Sequence, residues 1–263
     1  MPINSPKFSI NTLSFWSGNK KTWEFVSPRQ WTGMFFTNTS RSNELSYAHV
    51  CNTWQGIIVD GGFSEHPVEL EMVNSRLRNS GDMVMEVYHA NLRAYGCEFA
   101  EAANGALLLH GGDHVLNHCT LSNYYLFTAL GGEILQLGHI DADTDDETGL
   151  PYGKADISNT IIYGLGTDLG RGDFTGTDIY LRRCLLKSEG SDDDNFIECL
   201  WDSDPMFLTV REDYYFDYRL HEGSAAIGAA DPALTSPLAA VDRYGLARSS
   251  VPDLGAYVYE GEY

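Results

Sequence analysis

The sequence is short of positive charge. Lys and Arg number 17 against 37 Asp and Glu, a formal net charge of -20 at pH 7. Such a field repels polyanions at long range, so neither nucleic acid nor an anionic membrane surface is expected as a partner. Long apolar runs are missing too: with no stretch of about eighteen apolar residues, no segment is expected to insert directly into a membrane. The opening Met1-Pro2-Ile3-Asn4-Ser5-Pro6 lacks the basic and apolar regions of a leader peptide. Two addresses follow as expectations: the cytoplasm, or an outside location reached with a leader since removed. No CxxC pair occurs among the 5 cysteines, so the commonest zinc and dithiol signatures are lacking, and the odd count leaves at least one thiol unpaired.

What the chain does have is an internal repeat. The template apolar, two free positions, small residue, one free position, apolar fits six segments, beginning at Leu45, Met72, Ala94, Leu116, Ile157 and Leu181. Its small positions are Ala48, Ser75, Cys97, Cys119, Thr160 and Cys184, separated by steps of 27, 22, 22, 41 and 24. A step near 22 is what three short strands and three turns need to circle once. The step of 41 contains the loop His139 to Gly153 and reads either as one coil with an insertion or as two coils, one degenerate. A single coil is too thin to bury its apolar face, so stacking at about 4.8 Å places like residue over like residue. Cys97, Cys119 and Cys184 therefore read as rungs of an interior ladder, where a thiol acts as a compact apolar group. Asn52, Asn79 and Asn123 follow the last apolar position of three coils by two residues and suit a bend that needs left-handed backbone.

The expected fold is thus all-β: a right-handed parallel β-helix forming a single solenoid with an irregular C-terminal cap. Within one domain, residues 1–30 read as an irregular capping segment, 31–200 as coils, and 201–263 as the last coil and cap. Because an open sheet edge invites aggregation, the two ends are expected to be covered.

The cap region carries a resemblance. Asp217-Tyr-Arg219-Leu220, Gly223-Ser-Ala-Ala-Ile227-Gly-Ala229, Asp242-Arg-Tyr-Gly245, Arg248 and Pro252-Asp-Leu-Gly-Ala-Tyr257 are similar to the C-terminal cap of bacterial β-helix surface proteins of the choice-of-anchor type, within the pectate-lyase-like superfamily. The coils Asn117–Tyr125 and Asn159–Gly164, with Asp204-Pro-Met-Phe207, are similar too. The resemblance spans roughly residues 30 to 260. It implies a parallel β-helix at the cell surface or secreted, and no particular reaction. The chain departs from the family in having no lipoprotein signal and fewer coils on the N-terminal side.

Candidate chemistry is sparse. Asp141, Asp143 and Asp145 have calcium-loop spacing, but Asp146 and Tyr152 stand where an EF-hand needs Gly and Glu. A looser Ca2+ site or a solvated acidic loop remains. Ser191-Asp192-Asp193-Asp194-Asn195 has the same two readings. Asp168, Arg171 and Asp173 lie together in a Gly-rich stretch and are the candidate catalytic set, since polysaccharide lyases and glycoside hydrolases need a base beside a cation or paired carboxyl groups. Trp54, Tyr88, Tyr124, Tyr125, Tyr214 and Tyr215 are flat amphipathic rings suited to stacking on sugars. The functional expectation is a non-catalytic protein binding a polysaccharide or a surface partner, with an enzyme as the alternative.

Overall fold

The computed structural model describes residues 27–62, 67–138, 153–170, 174–210 and 214–261. Its unit is a coil of three short strands. The coils are β1 (Met34–Phe36), β2 (Asn43–Ser46) and β3 (His49–Thr53); β4 (Ile57–Asp60), β5 (Glu69–Val73) and β6 (Arg76–Ser80); β7 (Met83–Tyr88), β8 (Asn91–Tyr95) and β9 (Glu98–Ala102). They continue with β10 (Gly105–His110), β11 (Asp113–Asn117) and β12 (Thr120–Asn123), then β13 (Leu135–Gly138), β14 (Lys154–Ser158) and β15 (Ile161–Gly164). Shorter strands β16 (Ile179–Arg182), β17 (Leu185–Leu186) and β18 (Phe196–Ile197) end the stack. Equivalent strands pair in parallel, giving a β-helix of about 6 turns. Sheet A contains β2, β5, β8, β11, β14, β16 and β18; sheet B contains β3, β6, β9, β12, β15 and β17; sheet C contains β1, β4, β7, β10 and β13.

The repeat template is realised rung by rung. Its first apolar position forms one column in sheet A, Leu45–Met72–Ala94–Leu116–Ile157–Leu181–Phe196. The last forms another in sheet B, Val50–Leu77–Phe99–Leu121–Ile162–Leu186. Between them the six small residues are all buried. They also satisfy the corner backbone: Ser75 Oγ accepts from Ala48 N at 3.1 Å and Thr160 Oγ1 from Cys119 N at 3.2 Å. Small size and a weak acceptor are what this corner requires. Phe196-Ile-Glu-Cys199-Leu-Trp201 obeys the same template and supplies a seventh rung that sequence reading passed over.

The residue just before each rung takes left-handed backbone: Tyr47, Asn74, Gly96, His118, Asn159, Arg183 and Glu198, with φ between 48 and 63°. Seven corners share one conformation although only one of them is glycine. At the next corner Asn52 and Asn79 adopt φ of 59 and 60° and join in a ladder, Asn79 Nδ2 donating to Asn52 Oδ1 at 2.7 Å. Asn123 does not continue it. Its side chain instead bonds the Ala102 backbone in both directions, at 3.2 and 2.9 Å, while Glu101 takes the left-handed position one coil earlier.

The 41-residue step is a single coil, because β11 pairs directly with β14 and β12 with β15. Part of its surplus is the lateral loop 124–134. The rest, 139–152, lies outside the described residues, as do residues 1–26 of the expected N-terminal cap.

The C-terminal region differs in placement from a simple end plug. At the last coil, Phe174, Phe196 and Trp201 pack ring against ring over the core, with centroids 6.1 and 5.1 Å apart. The chain then forms an antiparallel hairpin, β19 (Phe207–Val210) with β20 (Phe216–Leu220), and runs back along the flank of the solenoid. Asp231 meets Asn159, Leu234 and Ser236 meet Asn117, and Arg243 reaches the carbonyls of Ala48 and Asn74. The polar residues of the cap motif hold this tail together. Asp242 accepts from Tyr244, Leu246 and Val258 N; Asp253 accepts from Gly228 and Tyr259 N; Arg248 donates to three carbonyls. Gly255, at φ 84°, lies so near sheet B that a Cβ would sit 2.7 Å from Thr120 and Ile161. An L side chain there would push the tail off the sheet.

Candidate functional site

Sheet B faces the tail. Along its outer surface one strand position reads His49, Arg76, Glu98, Thr120, Ile161, Leu185, each paired in register with the next. The late members are covered by apolar tail residues. The early members build a buried ion network. Arg78 pairs with Glu98 and approaches Glu101 at 3.8 Å, while Arg76 reaches Glu98 at 3.3 Å. The Tyr257 hydroxyl donates to Glu98 and the Tyr218 hydroxyl to Glu101, so both phenols come from the tail. Arg78 also donates to Phe216 O at 2.8 Å and lies 5.0 Å from the centre of the Tyr218 ring.

The two carboxyl groups are driven apart. Burial pushes Glu98 upward, but the Arg78 and Arg76 guanidinium groups outweigh it and hold its pKa at about 2. For Glu101 burial prevails over Arg78, with Glu98 adding repulsion, and its pKa rises to about 7. One carboxyl is therefore a fixed anion, and its neighbour exchanges a proton near neutrality.

Glu101 and Arg78 open onto a cleft of about 190 Å3 between sheet B, the lateral loop and the hairpin. His49, Cys51, Asn52 and Asn79 belong to its solenoid side; Tyr125, Leu126 and Phe127 come from the loop, and Tyr214 and Phe216 from the tail. Phe127 stacks on Tyr214 at 4.7 Å and 22°, and Tyr125 lies 5.4 Å from Phe127. A rim of exposed Leu126 and Phe127 borders this polar floor. Such an arrangement can stack a flat ring, hydrogen-bond its edge, and offer or accept one proton.

Of the sequence candidates, Tyr125 and Tyr214 line the cleft. Trp54 stands beside it: Arg29 lies 4.9 Å over the Trp54 ring and its charge is felt at the Tyr125 hydroxyl. Tyr124 turns instead toward Tyr218, with centroids 6.3 Å apart. Tyr88 is on sheet C, bonded to Glu86 at 2.5 Å and packed near His110, so the chosen aromatics form no single row. Asp168 is buried, and its two oxygens accept from Leu169 N and Ser188 N, each at 2.9 Å. Its companions Arg171 and Asp173 lie outside the described residues, as do Asp141, Asp143 and Asp145. In the second acidic run, Asp192 accepts from Glu198 N, Cys199 N and Trp201 Nε1, and Asp193 from Asn195 N and Phe196 N. Those two carboxylates fasten the last coil.

Sequence reading missed Glu98, Glu101, Arg76 and Arg78. The signal was present in the repeat: Arg76 and Glu98 follow the small rungs Ser75 and Cys97, so opposite charges were bound to stack. Comparison with protein families and with curated proteins gave no match.

Proposed function

We propose that the protein is a carbohydrate-binding solenoid of the surface-protein type its C-terminal motif resembles, working outside the cytoplasm and using the sheet B cleft as its sugar seat. The supporting observation is the union of a stacked Phe127–Tyr214 platform with a floor of Arg78, Glu101 and paired asparagines. A cleft of about 190 Å3 is smaller than the roughly 300–1,000 Å3 of sites that engulf a drug-sized ligand, so it suits one residue of a glycan otherwise lying along the wall. The test is a calorimetric screen of neutral and acidic polysaccharides. A binder is expected, with affinity falling at least about tenfold in Phe127→Ala and Tyr214→Ala while both variants stay folded. Binding that survives both changes places the sugar elsewhere.

One observation favours a second reading, catalysis by Glu101. A carboxyl poised near pH 7 beside a guanidinium suits abstraction of a proton from an acidic sugar, as in a polysaccharide lyase. A hydrolase is less well served, since Glu98 is engaged by Arg76, Arg78 and Tyr257. Growth of unsaturated-product absorbance that disappears in Glu101→Gln selects the lyase.

A further inference from the structure

Cys199 and Cys184 occupy neighbouring rungs at the exposed end of the interior column. The parallel bridge Leu185–Leu200 and the bond from Leu200 N to Cys184 O, 2.8 Å, fix their register. Backbones on adjacent coils are about 4.8 Å apart, inside the roughly 4.4–6.8 Å between Cα atoms that a disulfide spans. The side chains point the same way: Cys184 Sγ contacts Ile157 O at 3.4 Å and Cys199 Sγ contacts Leu181 O at 3.3 Å, each carbonyl belonging to the coil before. The thiols are free, and each perturbs the other's titration. Cys184 is fully buried, whereas Cys199 is only half-buried.

We propose that Cys184 and Cys199 form an oxidisable pair whose disulfide staples the last coil to the rest of the solenoid. The oxidant is a small disulfide such as oxidised glutathione. The Cys199 thiolate attacks one glutathione sulfur, forming Cys199–S–S–glutathione and releasing glutathione thiolate, which takes up a proton. Cys184 then loses its proton to solvent and its sulfur attacks Cys199 Sγ. The mixed disulfide breaks, and a second glutathione leaves. Two thiols are oxidised and one disulfide reduced, so atoms and electrons balance. The order of events follows from the environment. Interaction with the neighbouring Cys184 thiol draws Cys199 below its ordinary range, and burial pushes Cys184 up. Cys97 and Cys119 also lie on adjacent rungs, but both are fully buried and burial raises both thiols, which leaves no attacking thiolate at the surface.

The experiment incubates the full folded chain with oxidised glutathione, quenches with acid, alkylates under denaturing conditions and maps peptides by mass spectrometry. The expected product is a Cys184–Cys199 cross-link lacking two hydrogens, with Cys97 and Cys119 alkylated. Cys184→Ser, checked for native circular dichroism, should instead hold the mixed disulfide on Cys199. The oxidised wild type should resist proteolysis between residues 187 and 199 longer than the reduced form. Glutathione retained on wild-type Cys199 beside an alkylatable Cys184, or oxidation appearing first at Cys51, overturns the proposal.

Discussion

The outer face of sheet B is built in two ways. Over the late coils, Ile161 and Leu185 are buried beneath Leu220, Ala226 and Leu254. At the early coils the same strand position carries Arg76 and Glu98, covered by the same tail yet held by ions and phenols. Apolar burial tolerates small errors of placement. Buried charge does not, because each ion must regain in specific bonds what it lost by leaving water. The tail is therefore mere cover over the late coils, whereas over the early ones its position fixes the chemistry of the cleft.

The two ends of sheet B differ most in their dependence on Arg78. Arg78→Ala leaves Glu98 buried with one guanidinium fewer and should cost about 3–5 kcal/mol in urea unfolding. A loss under about 1 kcal/mol would mean that the network is not desolvated. At the other end, Leu185→Ala should cost about 3 kcal/mol, with the same value at pH 5 and pH 8, since only transfer and cavity terms are removed. A cost that changes with pH would tie the late coils to the ion network.

Titration sharpens the contrast. Glu98, held at about 2, contributes stability that is full above its unfolded value and fades as pH falls toward about 2. Glu101, raised to about 7, binds its proton more tightly folded than unfolded, so its effect turns unfavourable as pH climbs from about 4.5 to about 7. Buried His114 and His118, lowered to about 4 and about 2 by desolvation, pull the other way, adding stability above the ordinary histidine range that is lost on acidification. The difference between Glu101→Gln and wild type isolates the carboxyl. Gln should match wild type near pH 4.5 and exceed it by about 3 kcal/mol at pH 8. A difference flat with pH would show that Glu101 ionises normally. The smallest effect is expected at the asparagine corner. Asn79→Ala should cost about 1 kcal/mol and Asn79→Gly much less, because left-handed backbone tolerates Gly. Equal costs would assign the role to the Asn52 hydrogen bond instead.

The solenoid was legible in the sequence because stacking copies one local rule seven times, and Leu45 or Val50 obeys it without knowledge of distant residues. Cys199 escaped notice since its step is only 15 residues, shorter than the other coils. The cleft was harder to see. Arg78 and Glu101 look like ordinary wall residues until Tyr218 and Tyr257 cover them, more than a hundred positions further along. Asn123 shows the same limit: its side chain is taken by the Ala102 backbone and by Tyr125 N rather than by the asparagine ladder of Asn52 and Asn79.

The early end of sheet B holds one permanent carboxylate beside one that is protonated near neutrality. Selective 13C labelling of glutamate side chains, with Glu101→Gln to assign the resonance, reads this directly. A carboxyl carbon shift with its midpoint near pH 7 is the predicted result. A midpoint near the ordinary glutamate value of about 4.3 would contradict the buried network and the cleft chemistry built on it.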